Sequence, residues 1–209
     1  PTATITPATA TICEGTIATL TANGGTSYTW SNSGGSNAAA TFSPTTNATY
    51  TVTVTNTANC SATASRLVTV NANPTAAISP ATVAICNGSS ATITASGGTQ
   101  YAWSNSGGSN AAATFSPTTN TTYTVTVTAA NTCTATASRL VTVNALPSAA
   151  INGPTSICSG LSATLTASGG GTYAWSNSLG SAAAVTVSPT TATTYTVTVS
   201  DGTCTGTKS

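Results

Sequence analysis

Cysteine is the residue type whose spacing in this sequence indicates chemistry. The 209 residues contain six cysteines in three pairs, and the members of each pair lie 47, 47 and 46 residues apart. The pairs are Cys13 with Cys60, Cys86 with Cys133, and Cys158 with Cys204. Thiols can hold a metal ion or form disulfides, but a structural metal site needs closely spaced Cys or His ligands. The chain has no His and no close Cys pair, so the spacing favours disulfides.

The regular spacing predicts one bridge within each copy of a repeat: Cys13–Cys60, Cys86–Cys133 and Cys158–Cys204. In each copy the first cysteine precedes a strand and the second opens the last strand, so we expect the bridge to clamp one end of the domain. A loop of this length stabilises the fold by about 4 kcal/mol in the chain-entropy model. Disulfides persist in oxidising compartments, which indicates a location outside the cytoplasm.

Titratable groups are too few for catalysis. The charged residues are Glu14, Arg66, Arg139, Asp201 and Lys208. General acid–base chemistry needs paired titratable groups, but the two carboxylates belong to different repeats, and the many hydroxyls have no base to activate them. We therefore predict a non-enzyme with no catalytic residue, no metal site and no cofactor. Calcium in particular would require several converging carboxylates.

The low charge also limits the partners. Nucleic-acid binding through a basic patch is excluded, because the chain has only three Lys and Arg residues. No apolar run is long enough to span a membrane as a helix; one of the longest is Ala182–Val185. A surface with almost no net charge favours association, so we expect self-association or packing against neighbouring copies in a fibre.

Landmark residues recur with a period of about 73 residues. Tryptophan occurs at Trp30, Trp103 and Trp175, and boundary prolines occur at Pro1, Pro74 and Pro147. A unit of about 70 residues is large enough to fold as a small domain. The period predicts three tandem domains at 1–73, 74–146 and 147–209. Since the linkers are short and contain proline, we expect the domains to stack as a rod on the order of 100 Å long.

Alternating side chains predict that each domain is built from strands. Tyr50–Thr55, Tyr123–Thr128 and Tyr195–Ser200 place Tyr and Val on one face and hydroxyl side chains on the other. In the first repeat the turns and alternation predict seven or so strands, among them Thr2–Thr6, Thr16–Ala22, Tyr28–Trp30, Thr41–Ser43, Thr49–Thr55 and Ala62–Val70. Seven short strands with a Trp ahead of a Tyr-led strand favour an all-β fold of three immunoglobulin-like β-sandwiches.

The aromatic residues are expected in the core: Trp30, Trp103, Trp175, Tyr50, Tyr123 and Tyr195. A sugar-stacking platform formed by Tyr28 and Trp30 is the alternative. The outward threonines of the Tyr-led strands suit a solvated strand face, with ice binding or glycosylation as rival interpretations. Arg66 and Arg139 interrupt the alternation in the last strand, which predicts a bulge, a lateral contact without a salt bridge, or an edge charge that discourages mispairing.

Five motifs recur through all three repeats: Ile-Cys-x-Gly, Ala-Thr-Leu-Thr-Ala-x-Gly-Gly, Tyr-x-Trp-Ser-Asn, Ser-Pro-Thr-Thr and Tyr-Thr-Val-Thr-Val, with small variations. Together they resemble the immunoglobulin-like and PKD-like repeats of very large secreted surface proteins of gliding, Bacteroidetes-type bacteria. The Trp-x-Phe-Gly-Asp-Gly loop of PKD domains is absent, since Ser31-Asn32-Ser33-Gly34 follows Trp30. The resemblance implies an extracellular stalk, adhesin or filament.

Two functions remain open from the sequence. Residues 31–47 and 104–120 are identical, turns included, whereas a binding module is expected to vary its loops. This identity favours a non-catalytic structural repeat of an extracellular bacterial surface protein. The alternative is a tandem module that binds surface glycans.

The third repeat stops at Ser209, before the residues that complete the last strand in the other two. We therefore expect the 209 residues to be part of a longer array. The alternative is that another subunit donates the missing strand.

Overall fold

The computed structural model describes residues 1–209 and contains twenty β-strands. The first unit comprises β1 (Thr4–Thr6), β2 (Ala10–Cys13), β3 (Ala18–Asn23), β4 (Ser27–Trp30), β5 (Ala39–Phe42), β6 (Ala48–Thr55) and β7 (Ser61–Asn71). The second comprises β8 (Ala77–Ser79), β9 (Val83–Cys86), β10 (Ala91–Ser96), β11 (Gln100–Trp103), β12 (Ala112–Phe115), β13 (Thr121–Thr128) and β14 (Thr134–Asn144). The third comprises β15 (Ala150–Asn152), β16 (Ala163–Ser168), β17 (Thr172–Trp175), β18 (Ala184–Val187), β19 (Val197–Ser200) and β20 (Thr205–Lys208).

Each of the first two units is a sandwich of two sheets. In the first unit the order is β1-β3-β5 in one sheet and β2-β7-β6-β4 in the other, and the second unit repeats it as β8-β10-β12 and β9-β14-β13-β11. All neighbours are antiparallel except β2 with β7 and β9 with β14, which run parallel. The third unit has sheets β15-β16-β18 and β17-β19-β20. These strand orders are those of tandem immunoglobulin-like β-sandwiches.

Alternation along the strands produces a separate core in each unit. The first core contains Leu20 and Phe42 from one sheet and Trp30, Val52 and Val68 from the other. The second core repeats these positions. The third is smaller, with seven buried residues against twelve in the first. The predicted boundaries after Asn73 and Leu146 fall between β7 and β8 and between β14 and β15.

The third unit is smaller because its last strand is short. Strand β20 has four residues, whereas β7 and β14 each have eleven. In the second unit the end of β14 pairs with both β13 and β9. Without this segment, the residues before Cys158 form no strand, and Tyr195 lies outside β19.

The predicted strands lie within a few residues of the observed ones, with one omission. The segment Ala10–Cys13 is not among the predicted strands, but it forms β2. Its alternation is only four residues long, and it is held by parallel pairing with β7, a contact between residues nearly 60 positions apart. Local sequence does not reveal such a contact. No helix able to cross a membrane is found.

The arginines of the last strands do not form bulges. Arg66 stays in register opposite Tyr50, and Arg139 stays opposite Tyr123. Instead, each guanidinium crosses to the other sheet: Arg66 donates to the carbonyl of Ile5 at 3.1 Å, and Arg139 donates to that of Ile78 at 2.9 Å. The bulge prediction is therefore wrong, and these side chains tie the two sheets together at their edge.

Candidate functional site at the domain junctions

The disulfides connect consecutive domains, so the predicted pairing within each repeat is wrong. Cys13 bonds to Cys133 and Cys86 bonds to Cys204, with Cα–Cα distances of 5.6 and 5.7 Å. In both bridges the first cysteine of one unit pairs with the second cysteine of the next unit. Cys60 and Cys158 are free and exposed.

The two cysteines of one unit cannot meet because they lie at opposite ends of the sandwich. Cys13 is in register with Asn71, the last residue of β7, whereas Cys60 immediately precedes the first residue of that strand. At about 3.3 Å per residue, the eleven-residue strand separates them by roughly 30 Å. A disulfide requires Cα atoms within about 7 Å. The regular spacing of the cysteines follows from the repeat period and does not indicate which cysteines bond to each other.

A tight turn presents the first cysteine at the end where the chain leaves the unit. The amide of Glu14 donates to the carbonyl of Asn71 at 2.9 Å, and the amide of Thr16 donates to that of Cys13 at 3.0 Å. Gly15 has a φ of 82°, a left-handed conformation that glycine adopts without steric cost. The turn therefore holds Cys13 beside the linker to the next unit.

A second turn, between the last two strands, presents the other cysteine at the opposite end. The amide of Ala129 donates to the carbonyl of Cys133 at 2.9 Å, and the amide of Cys133 donates to the Asn131 side chain at 3.1 Å. Cys133 and Cys204 are each only 1% exposed. The second cysteine of each bonded pair is thus enclosed.

Hydrogen bonds reinforce the first junction around its disulfide. The Asn73 side chain donates to the carbonyl of Glu14 at 3.0 Å, and the Asn131 side chain donates to the carbonyl of Ala72 at 3.1 Å. Linker, first unit and second unit are therefore joined at one place. At the second junction Leu146 occupies the position of Asn73, so the first of these bonds has no counterpart there.

The free cysteines lie in turns that keep only part of the hydrogen bonding of their bonded counterparts. Around Cys60, the amide of Asn56 donates to the Cys60 carbonyl at 3.0 Å, and the amide of Cys60 donates to the Asn56 side chain at 3.0 Å. Around Cys158, the amide of Leu161 donates to the Cys158 carbonyl at 3.1 Å, and Gly160 has a φ of 81°. Cys60 therefore has the turn of a bonded second cysteine, whereas Cys158 keeps the local turn of Cys13 and Cys86 without the strand that precedes it there.

The aromatic residues expected in the core are placed there, with one partial exception. Trp30, Trp103 and Trp175 are between 5 and 8% exposed, and Tyr50 and Tyr123 are buried beside them. The Trp30 indole donates to the Asn37 carbonyl at 2.9 Å. Tyr195 packs against the third core but is only half-buried.

A sugar-stacking platform finds no support in this geometry. Trp30 packs edge-to-face on Phe42, with ring centroids 5.7 Å apart, and Phe42 stacks on Tyr50 at 3.8 Å. Tyr28 is half-buried, and its hydroxyl donates to the Gly25 carbonyl at 2.8 Å. The faces that would stack on a sugar are thus engaged within the domain.

The threonine row of β6 is partly occupied by its neighbouring strand. Thr51, Thr53 and Thr55 are half-buried, while Thr49 is exposed. The hydroxyls of Thr51 and Ser65 lie 2.8 Å apart across β6 and β7. This face therefore serves strand pairing, and it is not a uniform exposed array of hydroxyls.

Charged groups do not converge on any site. No cluster of three or more His, Cys, Asp or Glu side chains capable of holding a metal ion is present. Asp201 has a structural role: its carboxylate accepts the amides of Cys204 and Thr203, each at 2.8 Å. These hydrogen bonds lower the pKa of Asp201 below its usual value of 3.8, that from Cys204 most strongly.

No protein-family model and no curated protein matches the sequence. The chain is similar to several solved structures. A three-domain titin fragment carrying an E-to-A mutation is 13% identical, with a TM-score of 0.39 and coverage of 95% of this chain and 93% of that one. The three N-terminal domains of the outer capsid protein Hoc of bacteriophage RB49 are 17% identical, with a TM-score of 0.34 and coverage of 94% and 93%.

A Ca²⁺-stabilised adhesin that helps an Antarctic bacterium reach out and bind ice is also similar. It is 15% identical, with a TM-score of 0.35, and the match covers 99% of this chain and 72% of the adhesin chain. The immunoglobulin-like fold is assigned from the strand order within each unit, independently of these similarities.

Proposed function

We propose that the chain is a non-catalytic structural segment of an extracellular bacterial surface stalk, adhesin or filament, built to resist extension. The observation that carries this proposal is the pair of disulfides between consecutive domains. Any disulfide shortens the length of chain that can be pulled out, but a bridge between domains also prevents the two joined domains from being drawn apart.

The two bridges overlap along the sequence, since Cys86 lies inside the loop closed by Cys13 and Cys133. The shortest covalent path between the ends therefore runs Pro1 to Cys13, across to Cys133, back to Cys86, across to Cys204 and on to Ser209. At about 3.5 Å per residue, this path extends to roughly 230 Å, and the unbridged chain to roughly 700 Å. Even with all three domains unfolded, the bridges would withhold about two thirds of the contour length.

Other features agree with a structural role outside the cytoplasm. Disulfides persist in oxidising compartments, which supports an extracellular location. The scarcity of charge favours packing against neighbouring copies. Since the tryptophans are buried, the glycan-binding alternative lacks its principal surface. The resemblance to repeats of Bacteroidetes-type surface proteins points to the same class.

Single-molecule force spectroscopy tests the proposal. The oxidised chain, held at its two ends, is expected to reach a limiting contour of roughly 230 Å, and reduction is expected to raise the limit to roughly 700 Å. A Cys13→Ser/Cys133→Ser variant retains one bridge and should give an intermediate limit. Equal limits before and after reduction would contradict the proposal, because the bridges would then withhold no length.

A further inference from the structure

Each junction joins the first cysteine of one unit to the second cysteine of the next, and the two free cysteines comprise one first cysteine and one second cysteine. Cys158 corresponds to the first cysteine of a bonded pair, as in Cys13 and Cys86, and Cys60 corresponds to the second, as in Cys133 and Cys204. We propose that Cys158 of one molecule bonds to Cys60 of a second copy, which joins the copies head to tail. This inference rests on the proposed function and identifies a second copy of the chain as the partner in the filament.

The inner junctions supply the independent evidence for this bond. Cysteines at these two positions pair in the same direction at both junctions within the chain, with nearly equal Cα–Cα distances. The turn around Cys60 keeps the backbone hydrogen bond found at Cys133, and the turn around Cys158 keeps the bond that closes the turn at Cys13 and Cys86. Both thiols are exposed, and neither has a partner among the 209 residues. The rule that pairs first with second cysteine therefore leaves one complementary thiol in the first unit and one in the third.

The bond forms by thiol–disulfide exchange with a small-molecule disulfide. The Cys158 thiolate attacks a sulfur of that disulfide, forms a mixed disulfide and releases one small thiol. The Cys60 thiolate of the second copy then attacks the Cys158 sulfur and displaces the second small thiol. Two protein thiols are oxidised, one small disulfide is reduced to two thiols, and the two protons lost by the protein thiols are taken up by the released small thiolates.

Two complementary variants test the pairing. Cys60→Ser keeps only the Cys158 thiol, and Cys158→Ser keeps only the Cys60 thiol. In a redox buffer of oxidised and reduced glutathione, each variant alone should remain at the monomer mass of 20.1 kDa. An equal mixture should form a covalent dimer at least about tenfold faster than either variant alone, and the wild-type chain should form a ladder of multimers.

Isotope labelling and peptide mapping complete this experiment. With one variant labelled with ¹⁵N, the dimer should contain one labelled and one unlabelled chain linked through Cys158 and Cys60. Homodimers that form as fast as the mixed dimer, or no dimer in the mixture, would overturn the head-to-tail bond. The force measurement on the single chain does not depend on Cys60 or Cys158, so the proposed function could stand even if this bond did not form.

A second inference rests on a groove in the third unit. The groove has a volume of about 450 Å³, and its apolar lining includes Ile157, Ala163, Leu165, Val187 and Tyr195. It faces the position that the end of the last strand occupies in the other two units. There, Val68 and Val141 are fully buried against the corresponding side chains.

The first two units show what occupies this position. The segments Arg66–Asn71 and Arg139–Asn144 have the same sequence, Arg-Leu-Val-Thr-Val-Asn. In the second unit, Val141 pairs with Thr121 on one side and with Val83 on the other. The geometry points to an extended segment of this sequence as the occupant of the groove by β-strand addition.

A synthetic peptide copying Arg139–Asn144 tests the groove. Titrated into the 209-residue chain, it should bind saturably, shift the NMR signals of Tyr195 and Ala163, and raise the melting temperature of the third unit. A control peptide with Asp in place of its first valine should bind at least about tenfold more weakly, because it would bury a charge. A chain extended by the same six residues after Ser209 should fill its own groove and bind no peptide.

Three results would overturn this second inference: no binding at millimolar peptide, equal binding of the control peptide, or signal shifts confined to the first two units. The extended chain also distinguishes binding in the groove from nonspecific association of the peptide, since nonspecific association would persist in the extended chain.

Discussion

Single residues determine how each core is held, and tryptophan contributes most to this. Trp103 is buried, packs edge-to-face on Phe115 with ring centroids 5.8 Å apart, and donates its indole N–H to the Asn110 carbonyl at 3.0 Å. One side chain thus fills the space between the sheets and satisfies a loop carbonyl. Its removal would leave both a cavity and an unpaired acceptor.

We therefore expect Trp103→Ala to destabilise the second unit by about 3 to 5 kcal/mol, comparable with the whole stability of a small domain. Differential scanning calorimetry should show one of the three melting transitions shifted down or lost. Leu140→Ala is the matched control, because Leu140 is 49% exposed on the same unit and should change the transition little. An unchanged transition in Trp103→Ala would contradict the core assignment.

Asp201 provides a residue-scale prediction about pH. Its pKa is lowered in the folded chain by the amides of Cys204 and Thr203, so its contribution to stability is present above the unfolded value of 3.8. That contribution is lost as the pH falls through the lower, folded pKa. We expect the third unit to melt at lower temperature when the pH falls from 4 to about 2.

Asp201→Asn is the matched variant, since an Asn side chain performs the same capping in the first unit at Asn56. Its oxygen accepts hydrogen bonds but does not titrate in this range, so part of the pH dependence should disappear while the turn remains. Thermal melts of both proteins between pH 2 and 6 make the comparison. An identical pH dependence in the two would show that Asp201 does not contribute to it.

At the scale of elements, the turn between β10 and β11 is held by close backbone contact. Gly97 has a φ of 105°, and a Cβ there would collide with the carbonyl of Thr75, just before β8. Gly108 also has a positive φ, 77°, but a Cβ there meets nothing within 4 Å. Substitutions at these two glycines therefore separate the cost of a positive φ from the cost of a steric collision with Thr75.

Gly108→Ala is expected to cost about 1 kcal/mol, because only the left-handed conformation is penalised. Gly97→Ala should cost at least about 1 kcal/mol more, because strand β8 must also move away from β10. Chemical denaturation of the two variants measures the difference. Equal losses would mean that the approach of Thr75 to Gly97 does not constrain the unit.

At the scale of the whole molecule, the disulfides make each unit depend on its neighbour. The third core has seven buried residues, against twelve in the first, so the third unit has less burial of its own to rely on. A disulfide to the second unit therefore contributes a larger share of the stability of the third unit than of the first.

We expect the pair Cys86→Ser/Cys204→Ser to lower the melting of the third unit more than Cys13→Ser/Cys133→Ser lowers that of the first. Each bridge is worth about 2 to 5 kcal/mol. Proteolysis under native conditions gives a second measurement. In the Cys86→Ser/Cys204→Ser variant, the third unit should be cleaved before the other two. The opposite order of the two double variants would contradict this dependence.

Local residue patterns were enough to predict every kind of strand except β2 and its copies, and they were enough to predict the fold. Alternation in segments such as Tyr123–Thr128 determines which side chains face a core, because successive side chains of a strand point to opposite faces. The turns between strands are a local feature as well, because glycines such as Gly15 supply the positive φ that a tight turn requires. The repeat period then indicated three such sandwiches.

Tertiary structure alone decided which cysteines bond. Equal spacing of Cys13 and Cys60 and of Cys86 and Cys133 records the repeat, and an intradomain bridge and an interdomain bridge have the same periodicity. The decision depends on β2, whose parallel pairing with β7 carries Cys13 to the end of the sandwich away from Cys60 and beside the next unit. A disulfide forms between cysteines that are close in space, and that closeness is a property of the stacked units, not of any one repeat.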